Sequence, residues 1–397
     1  MTKKNLNGQP SIYQRTDGRW STTISIGIDE KSNKPIRKTI YGKTKNDVLY
    51  KLDEIKKTLE ESNKSDFSNV TLSQWLDIWL YDYIKPSIRP TTFSSYESIS
   101  RIHIKPHIGH LLLKDLKAEH IQRLFNEKAN NGRYDGLGGL STRTIKYIHF
   151  LIKSALSQAI KMGFLDKNVA EATVLPRMVK KDIRVLTLIE QSKFLSTVAG
   201  DRLSAAFILD LSTGLRQGEL LALKWGDINF EENYIRVRRT IIRTNIFNKD
   251  KESTSQLIFQ DPKTKAGKRF VPYPDNISNV LSEHKHRQIS EKIKAGSLYE
   301  DNDFVFCTEL GKPIEPRNFT RKFYKLAKKA GLQDINLHAL RHTYATRLLE
   351  MNEHPKVVQE LLGHSSITVT LDIYSHVMPE IKKSAANKLN KLFKDCI

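Results

Sequence analysis

The chain has 397 residues, too long for one ordinary domain and enough for two or three. Its formal net charge of +21, from 65 Lys+Arg against 44 Asp+Glu, favours a polyanionic partner, most simply nucleic acid, although charge alone also fits a basic protein with no special partner. Cys307 and Cys396 are its only cysteines, which excludes a disulfide framework and a Cys-rich zinc site; with no signal-peptide core and no apolar run of the ~20 residues a membrane span needs, a reducing cytoplasm is expected.

Residues from about Ser11 to Glu60 read as a small αβ unit. Three runs rich in Ile, Tyr, Trp and Thr are parted by turn signals at Asp17-Gly18 and around Asp29 to Pro35, which predicts hairpins. Val48, Leu52, Ile55 and Leu59 follow at helical spacing. The exposed face of the sheet would carry Arg15, Arg19, Arg37 and Lys38, either as a solvated face or as a ribbon against DNA. Glu61 to Asn69 is polar and turn-rich, a linker.

A helical segment comes next. Thr71 or Ser73 caps a helix through Trp75, Ile78, Trp79 and Tyr83, which Pro86 and Pro90 end. Further helices are expected over Thr91 to Ile104, over Lys117 to Ala129 and from Ser141, with a turn over His107 to Leu116 and a loop over Gly132 to Leu140. His103, His107 and His110 have no carboxylate or Cys at ligand spacing, and Pro106 interrupts the helix between them, so DNA-facing or surface histidines are preferred to a zinc site. Asn168 to Val185 is an irregular connector.

From Leu186 on, helices over Thr187 to Val198 and Arg202 to Ser212 lead into TGLRQGELLAL, Thr213 to Leu223. Short strands with charged hairpins follow, the last of them DFVFCT, then a helix ending at Ala330-Gly331, a helix over Asn336 to Asn352 and another over His354 to Gly363. Pro379 to Phe393 places Ile381, Ala385, Leu389 and Leu392 on one face.

Several residues could do chemistry. Arg216 follows a glycine at a helix start, and a guanidinium fork matches two phosphate oxygens. Glu219 could hold it, or the two could be an ordinary surface pair at i,i+3. His338 and Arg341 share a helix face and suit an anionic transition state, or form a buried polar pair; His342 is expected to point elsewhere. Lys263 and Lys265 sit at the expected tip of a hairpin, where a lysine could protonate a departing alkoxide or simply be solvated. His364 could be a third donor. Tyr374 has a phenol of reference pKa ~10, a poor nucleophile unless its oxyanion is stabilised. A phosphotyrosyl bond would keep the energy of the cleaved phosphodiester, consistent with no GxxxxGK[ST] loop and no carboxylate set for two-metal catalysis. No metal or cofactor is expected.

The order R…K…HxxR…H…Y, carried by TGLRQGELLAL, LHALRHTYATRLLE (Leu337 to Glu350) and LLGHSSITVTLDIYSHV (Leu361 to Val377), resembles the tyrosine recombinases, the phage-integrase family. In appearance the chain is most similar to integrases of Gram-positive conjugative transposons and temperate phages. No box residue departs from the family pattern. The resemblance implies a multi-domain, mainly α protein with small β-sheets. Residues 1–66 would be an arm-type DNA-binding domain of three strands and a helix, 67–180 a helical SAM-like core-binding domain, and 181–397 a mixed α+β catalytic domain with a C-terminal exchange tail. It implies a site-specific recombinase that integrates and excises a mobile element, acting on core and arm attachment sites of double-stranded DNA. Arg216 and Arg341 would bind the scissile phosphate, and His338 and His364 would assist. Lys263, with Lys265 as the fallback, would be the general acid, and Tyr374 would form a 3′-phosphotyrosine. Exchange would run through a Holliday junction in a homotetramer, with the tail packed on a neighbour or on its own subunit. An excisionase and a host DNA-bending protein could assist, and a nucleoid-associated place in the cytoplasm would follow. A non-catalytic DNA-binding regulator is the rival, but it would have lost at least one of Arg216, His338, Arg341 and Tyr374. A type IB topoisomerase shares the chemistry but would not need the arm-like domain or the apolar tail.

Overall fold

The computed structural model describes residues 11–28, 35–65, 69–177, 184–248, 250–262, 265–371 and 386. The chain divides into two units, Met1–Val179 and Lys180–Ile397. The first opens with an antiparallel sheet in the order β1 (Tyr13–Gln14), β2 (Trp20–Ile28), β3 (Pro35–Gly42), covered by α1 (Lys45–Ser65). Ile40, Val48 and Leu52 are buried together, with Ile12, Trp20, Ile24 and Ile55 packed on them. Side chains alternate between the faces of a strand. Lys38 therefore lies on the Ile40 side, towards α1, whereas Arg37 lies on the Tyr41 side with Arg15, whose guanidinium is 5.5 Å from the Tyr41 ring. The expected cations do not all share one face, and Arg15 and Arg19 pair with Asp17 at 3.6 and 3.0 Å. The helix α1 also runs through most of the stretch expected as a linker.

The second part of this unit begins at α2 (Leu72–Ile78). Thr71 is its cap: Gln74 N–H donates to Thr71 Oγ1 at 3.2 Å, and Thr71 N–H donates to Gln74 Oε1 at 2.9 Å. The helix continues through a π turn at Trp79–Ile84 and a 3-10 turn at Lys85–Ser87. After α3 (Pro90–Ile99) a second π turn, Ser100–Ile104, leads into α4 (Lys105–Ile108). Pro106 thus does not break the helix. It lies two residues after the wide turn, which takes up the ring. His107 lies between Lys128 and Glu127, with Nε2 2.5 Å from the ammonium and Nδ1 3.3 Å from the carboxylate. Then come α5 (Ala118–Asn131) and α6 (Thr142–Lys161), and Trp75 Nε1 ties α2 to α6 by donating to Ala155 O at 2.9 Å.

The second unit contains α7 (Leu188–Val198), α8 (Ser204–Thr213), α9 (Gln217–Leu220), β4 (Ile228–Asn229), β5 (Tyr234–Val237), β6 (Thr240–Phe247), β7 (Ser253–Gln260), β8 (Arg269–Pro272), α10 (Asp275–Ala295), α11 (Pro316–Lys329), α12 (His338–Glu350) and α13 (Pro355–Leu362). The core forms around α8, whose Phe207 stacks on Phe319 of α11 at 4.7 Å and meets Phe194 of α7 edge-on at 5.9 Å. Two small sheets border it, β4-β5-β8 and β6-β7. The long hairpin is β6–β7, paired from Thr240↔Gln260 to Phe247↔Ser253. The next strand, β8, pairs with β5 instead. β7 and β8 thus lie in different sheets, so among the described residues they form no hairpin with each other; a 3-10 turn at Lys265–Gly267 leads into β8. DFVFCT, expected as a strand, makes isolated bridges, Lys224↔Phe304 and Cys307↔Pro313, among the described residues. Among the described residues no helix is long and apolar enough to cross a membrane.

Candidate active site

The end of α8 begins the site. Gly214 leaves the helix in the left-handed region, at φ 59°, and its N–H donates to Asp210 O at 2.8 Å. A Cβ there would stand 2.4 Å from the Tyr344 ring, so a side chain is excluded on both counts. Two residues on, Arg216 is extended directly ahead of α9. Its backbone N–H donates to Glu219 Oε2 at 3.0 Å and its Nη1 to Glu219 Oε1 at 2.8 Å. Glu219 is 3% exposed while the Arg216 side chain is 41% exposed, so this is no surface pair: a buried carboxylate holds a half-open guanidinium.

Arg341 comes from the first turn of α12. It is 2% exposed and donates Nη1 to Gly214 O at 2.5 Å and Nη2 to Leu362 O at 2.6 Å. The next carbonyl, Gly363 O, receives Arg216 Nη2 at 2.9 Å. The preceding one, Leu361 O, receives Nε of Arg269 at 2.6 Å. The last carbonyls of a helix have no partner within the helix. Here three in a row at the end of α13 are met by arginines from three distant segments. Gly363 is left-handed at φ 65°, and a Cβ on it would stand 2.7 Å from Ala266 O and 3.0 Å from the Arg269 side chain.

The histidines lie close by. His364 Nδ1 is 2.9 Å from the hydroxyl of buried Thr370. Burial first, then the charges of Arg341 and Arg216, push its imidazole down to about 3. Partial burial and the same two arginines also lower His338. Both rings are neutral at pH 7, hydrogen-bonding groups and not extra cations. His342, expected to point elsewhere, meets the His338 ring edge-on at 4.5 Å.

Asp210, on α8, is 2% exposed, and its Oδ1 has no hydrogen-bond partner among the described residues. Burial pushes its carboxyl well above the usual range, against the pull of Arg341. An acid raised on folding holds its proton in the folded chain while the unfolded chain has lost it. Stability then falls as pH climbs from the unfolded value towards the folded one. Asp210→Asn is expected to leave the melting temperature nearly unchanged at pH 4 and to raise it at pH 7 by roughly 2–4 °C, about 1 kcal/mol in a unit of this size. Melts at the two pH values check this; a lower melting temperature at pH 7 would mean that an ionised carboxylate is needed there.

Beside Arg216 and His338 opens a cleft of about 1110 Å³, also lined by Arg243, Arg317 and Arg321. Its acidic lining residue among the described residues, Glu315, is held by Arg243 Nε at 2.7 Å. The cleft is built for an anion. Of the residues singled out in the sequence, Arg216, Glu219, His338, Arg341 and His364 come together. Lys263 and Tyr374 lie outside the described residues, as does the tail apart from Ala386, and of Lys265 only the backbone is described. Sequence reasoning missed Arg269, which stands 50 positions from Glu219 and meets it with Nη1 at 3.2 Å and Nη2 at 3.0 Å. Its one signal is a place beside a lysine-rich run, and it is one cation among 65 lysines and arginines.

Comparison with known proteins gives a consistent result. The phage integrase family matches residues 184–380, and the N-terminal SAM-like domain of phage integrases matches residues 71–129. The chain is 38% identical to a tyrosine recombinase XerC-like protein of Caldanaerobacter subterraneus subsp. tengcongensis over 384 residues, 94% of this chain and 96% of the relative. Its fold is similar to that of the Tn1549 transposon integrase in complex with a circular intermediate DNA, with a TM-score of 0.63 and 23% identity over 81% of this chain and all of that one (100%). It is also similar to a lambda integrase tetramer bound to a Holliday junction, with a TM-score of 0.54 and 21% identity over 93% and 96% of the two chains.

Proposed function

The chain belongs to the phage integrase family of tyrosine recombinases, and from that premise we propose how its own residues cut and rejoin DNA. It is a site-specific recombinase, related to integrases of transposon and phage origin. The observation that carries the assignment of residues is the pair Arg216 and Arg341, anchored on adjacent carbonyls, with Arg216 opening on a cleft lined with further arginines.

Arg216 and Arg341 take the non-bridging oxygens of the scissile phosphate and neutralise the charge that grows as phosphorus becomes five-coordinate. The Tyr374 phenol loses its proton to the His338 imidazole and its oxygen attacks phosphorus. The bond to the 5′-oxygen breaks, and that oxygen takes a proton from Lys263, or from Lys265. The products are a 3′-phosphotyrosine and a free 5′-hydroxyl. In the tautomer in which the Thr370 hydroxyl donates to Nδ1, His364 carries its hydrogen on Nε2 and donates it to a phosphate oxygen. Attack by the 5′-hydroxyl of a partner strand reverses the step and restores Tyr374. No nucleotide cofactor enters this scheme.

The match of a SAM-like domain to residues 71–129 supports a core-binding role for 67–180, which leaves 1–66 for arm sites. A homotetramer on double-stranded DNA is supported by likeness to the lambda integrase tetramer on a Holliday junction. Excisionase and DNA-bending partners would act on that assembly. The test uses a nicked duplex carrying the attachment site, from which the cut fragment escapes. A covalent protein–DNA band should appear on a denaturing gel with EDTA present, since guanidiniums carry the charge. No band under any condition, or a band only with added Mg²⁺, would overturn the mechanism.

A further inference from the structure

We propose that Arg269 is a positioning residue for strand cleavage: it holds Glu219, and through it Arg216, in the orientation that meets the scissile phosphate. This rests on the function proposed above.

Arg269 makes its contacts within the protein. Its side chain is 7% exposed. Its nitrogens are engaged by Leu361 O, by both oxygens of Glu219 and, at 3.3 Å, by Gly267 O. Each Glu219 oxygen is shared. Oε1 accepts from Arg216 Nη1 and Arg269 Nη1, and Oε2 accepts from the Arg216 backbone N–H and Arg269 Nη2. Arg269 also packs against Gly363, whose carbonyl is the second anchor of Arg216. Both anchors of Arg216 therefore lean on this one side chain.

Charge gives the functional reason. Arg216, Arg269 and Arg341 bring three positive charges and Glu219 one negative, a surplus of two. A phosphodiester carries one negative charge, which approaches two in the five-coordinate transition state. Without Arg269 the surplus falls to one. The buried carboxylate would then draw on Arg216 alone and turn it away from the phosphate. Arg269 satisfies Glu219 so that Arg216 remains a cation towards DNA.

The experiment measures single-turnover cleavage of the nicked duplex at saturating protein, together with duplex affinity and the melting temperature. Arg269→Met keeps the stem and removes the charge. It should slow cleavage on the order of 100-fold, the scale of one lost transition-state donor, without weakening duplex binding. Arg269→Lys should regain most of the rate. In a Glu219→Gln background, Arg269→Met should cost little further, because the carboxylate through which Arg269 acts is gone. Should Arg269→Met melt below the assay temperature, the comparison of Glu219→Gln with the double variant decides alone. Equal rates for the Met and Lys variants, or a full further loss in the Gln background, would overturn the proposal. Failure of the functional reading looks different: the parent protein itself would form no adduct.

Discussion

Tyr374→Phe yields a protein that binds the attachment site like its parent and forms no covalent adduct on the nicked duplex. The argument is atomic: the phenolic oxygen becomes the bridging atom of the phosphotyrosine, and Phe has none to give. With a reference pKa of ~10, a free phenol at pH 7 is ~3 units from ionised, about 4 kcal/mol. Arg216 and Arg341 would supply that stabilisation at the phosphate, and nothing in the cleft supplies it to a phenyl ring. A denaturing gel and a binding titration on the same preparation measure both halves. An adduct from the Phe variant would place the nucleophile elsewhere, and lost affinity would mean that the hydroxyl holds DNA instead of attacking it.

Arg341→Ala should lose both rate and stability. Cleavage should fall about 10²–10³-fold, the scale for removing one donor aimed at developing charge. Gly214 O and Leu362 O would also lose their donors, at a cost of about 1–3 kcal/mol for each left buried and unpaired. The melting temperature should drop. Arg341→Lys separates the effects: its single ammonium keeps the charge but cannot span two carbonyls as a planar fork does. It should recover part of the rate and little of the stability. Arg216→Ala, whose side chain is half-open, should lose rate with a smaller drop in melting temperature. If Arg341→Ala cut DNA at the parental rate, the pair could not be the phosphate anchor.

Local signals made much of this legible. The Arg216–Glu219 contact follows from i,i+3 spacing at a helix start, and the Thr71 cap from a Thr with Gln three places on. Helices with apolar stripes, such as Thr142–Lys161, show their period directly. What stayed hidden depends on distance along the chain. The partner of β8 is β5 and not β7, and no residue of PKTKAGK announces that exchange. Pro106 reads as a helix stop because local rules cannot see the π turn that accommodates it. Lys38 reads as a residue of the open face, although counting by twos from buried Ile40 places it on the other. Arg269 is one cation in a basic chain, and only the folded protein shows that it is buried against Glu219.

The three arginines gathered at the end of α13 have a consequence for how this chain keeps cations close together. Aligned peptide dipoles leave roughly half a negative charge at a helix C-terminus. That pole softens the mutual repulsion of the guanidiniums without a full carboxylate for each, which would cancel the charge needed for DNA. A short helix thus acts as a diffuse counterion, and a change that frays its last turn would loosen all three arginines together.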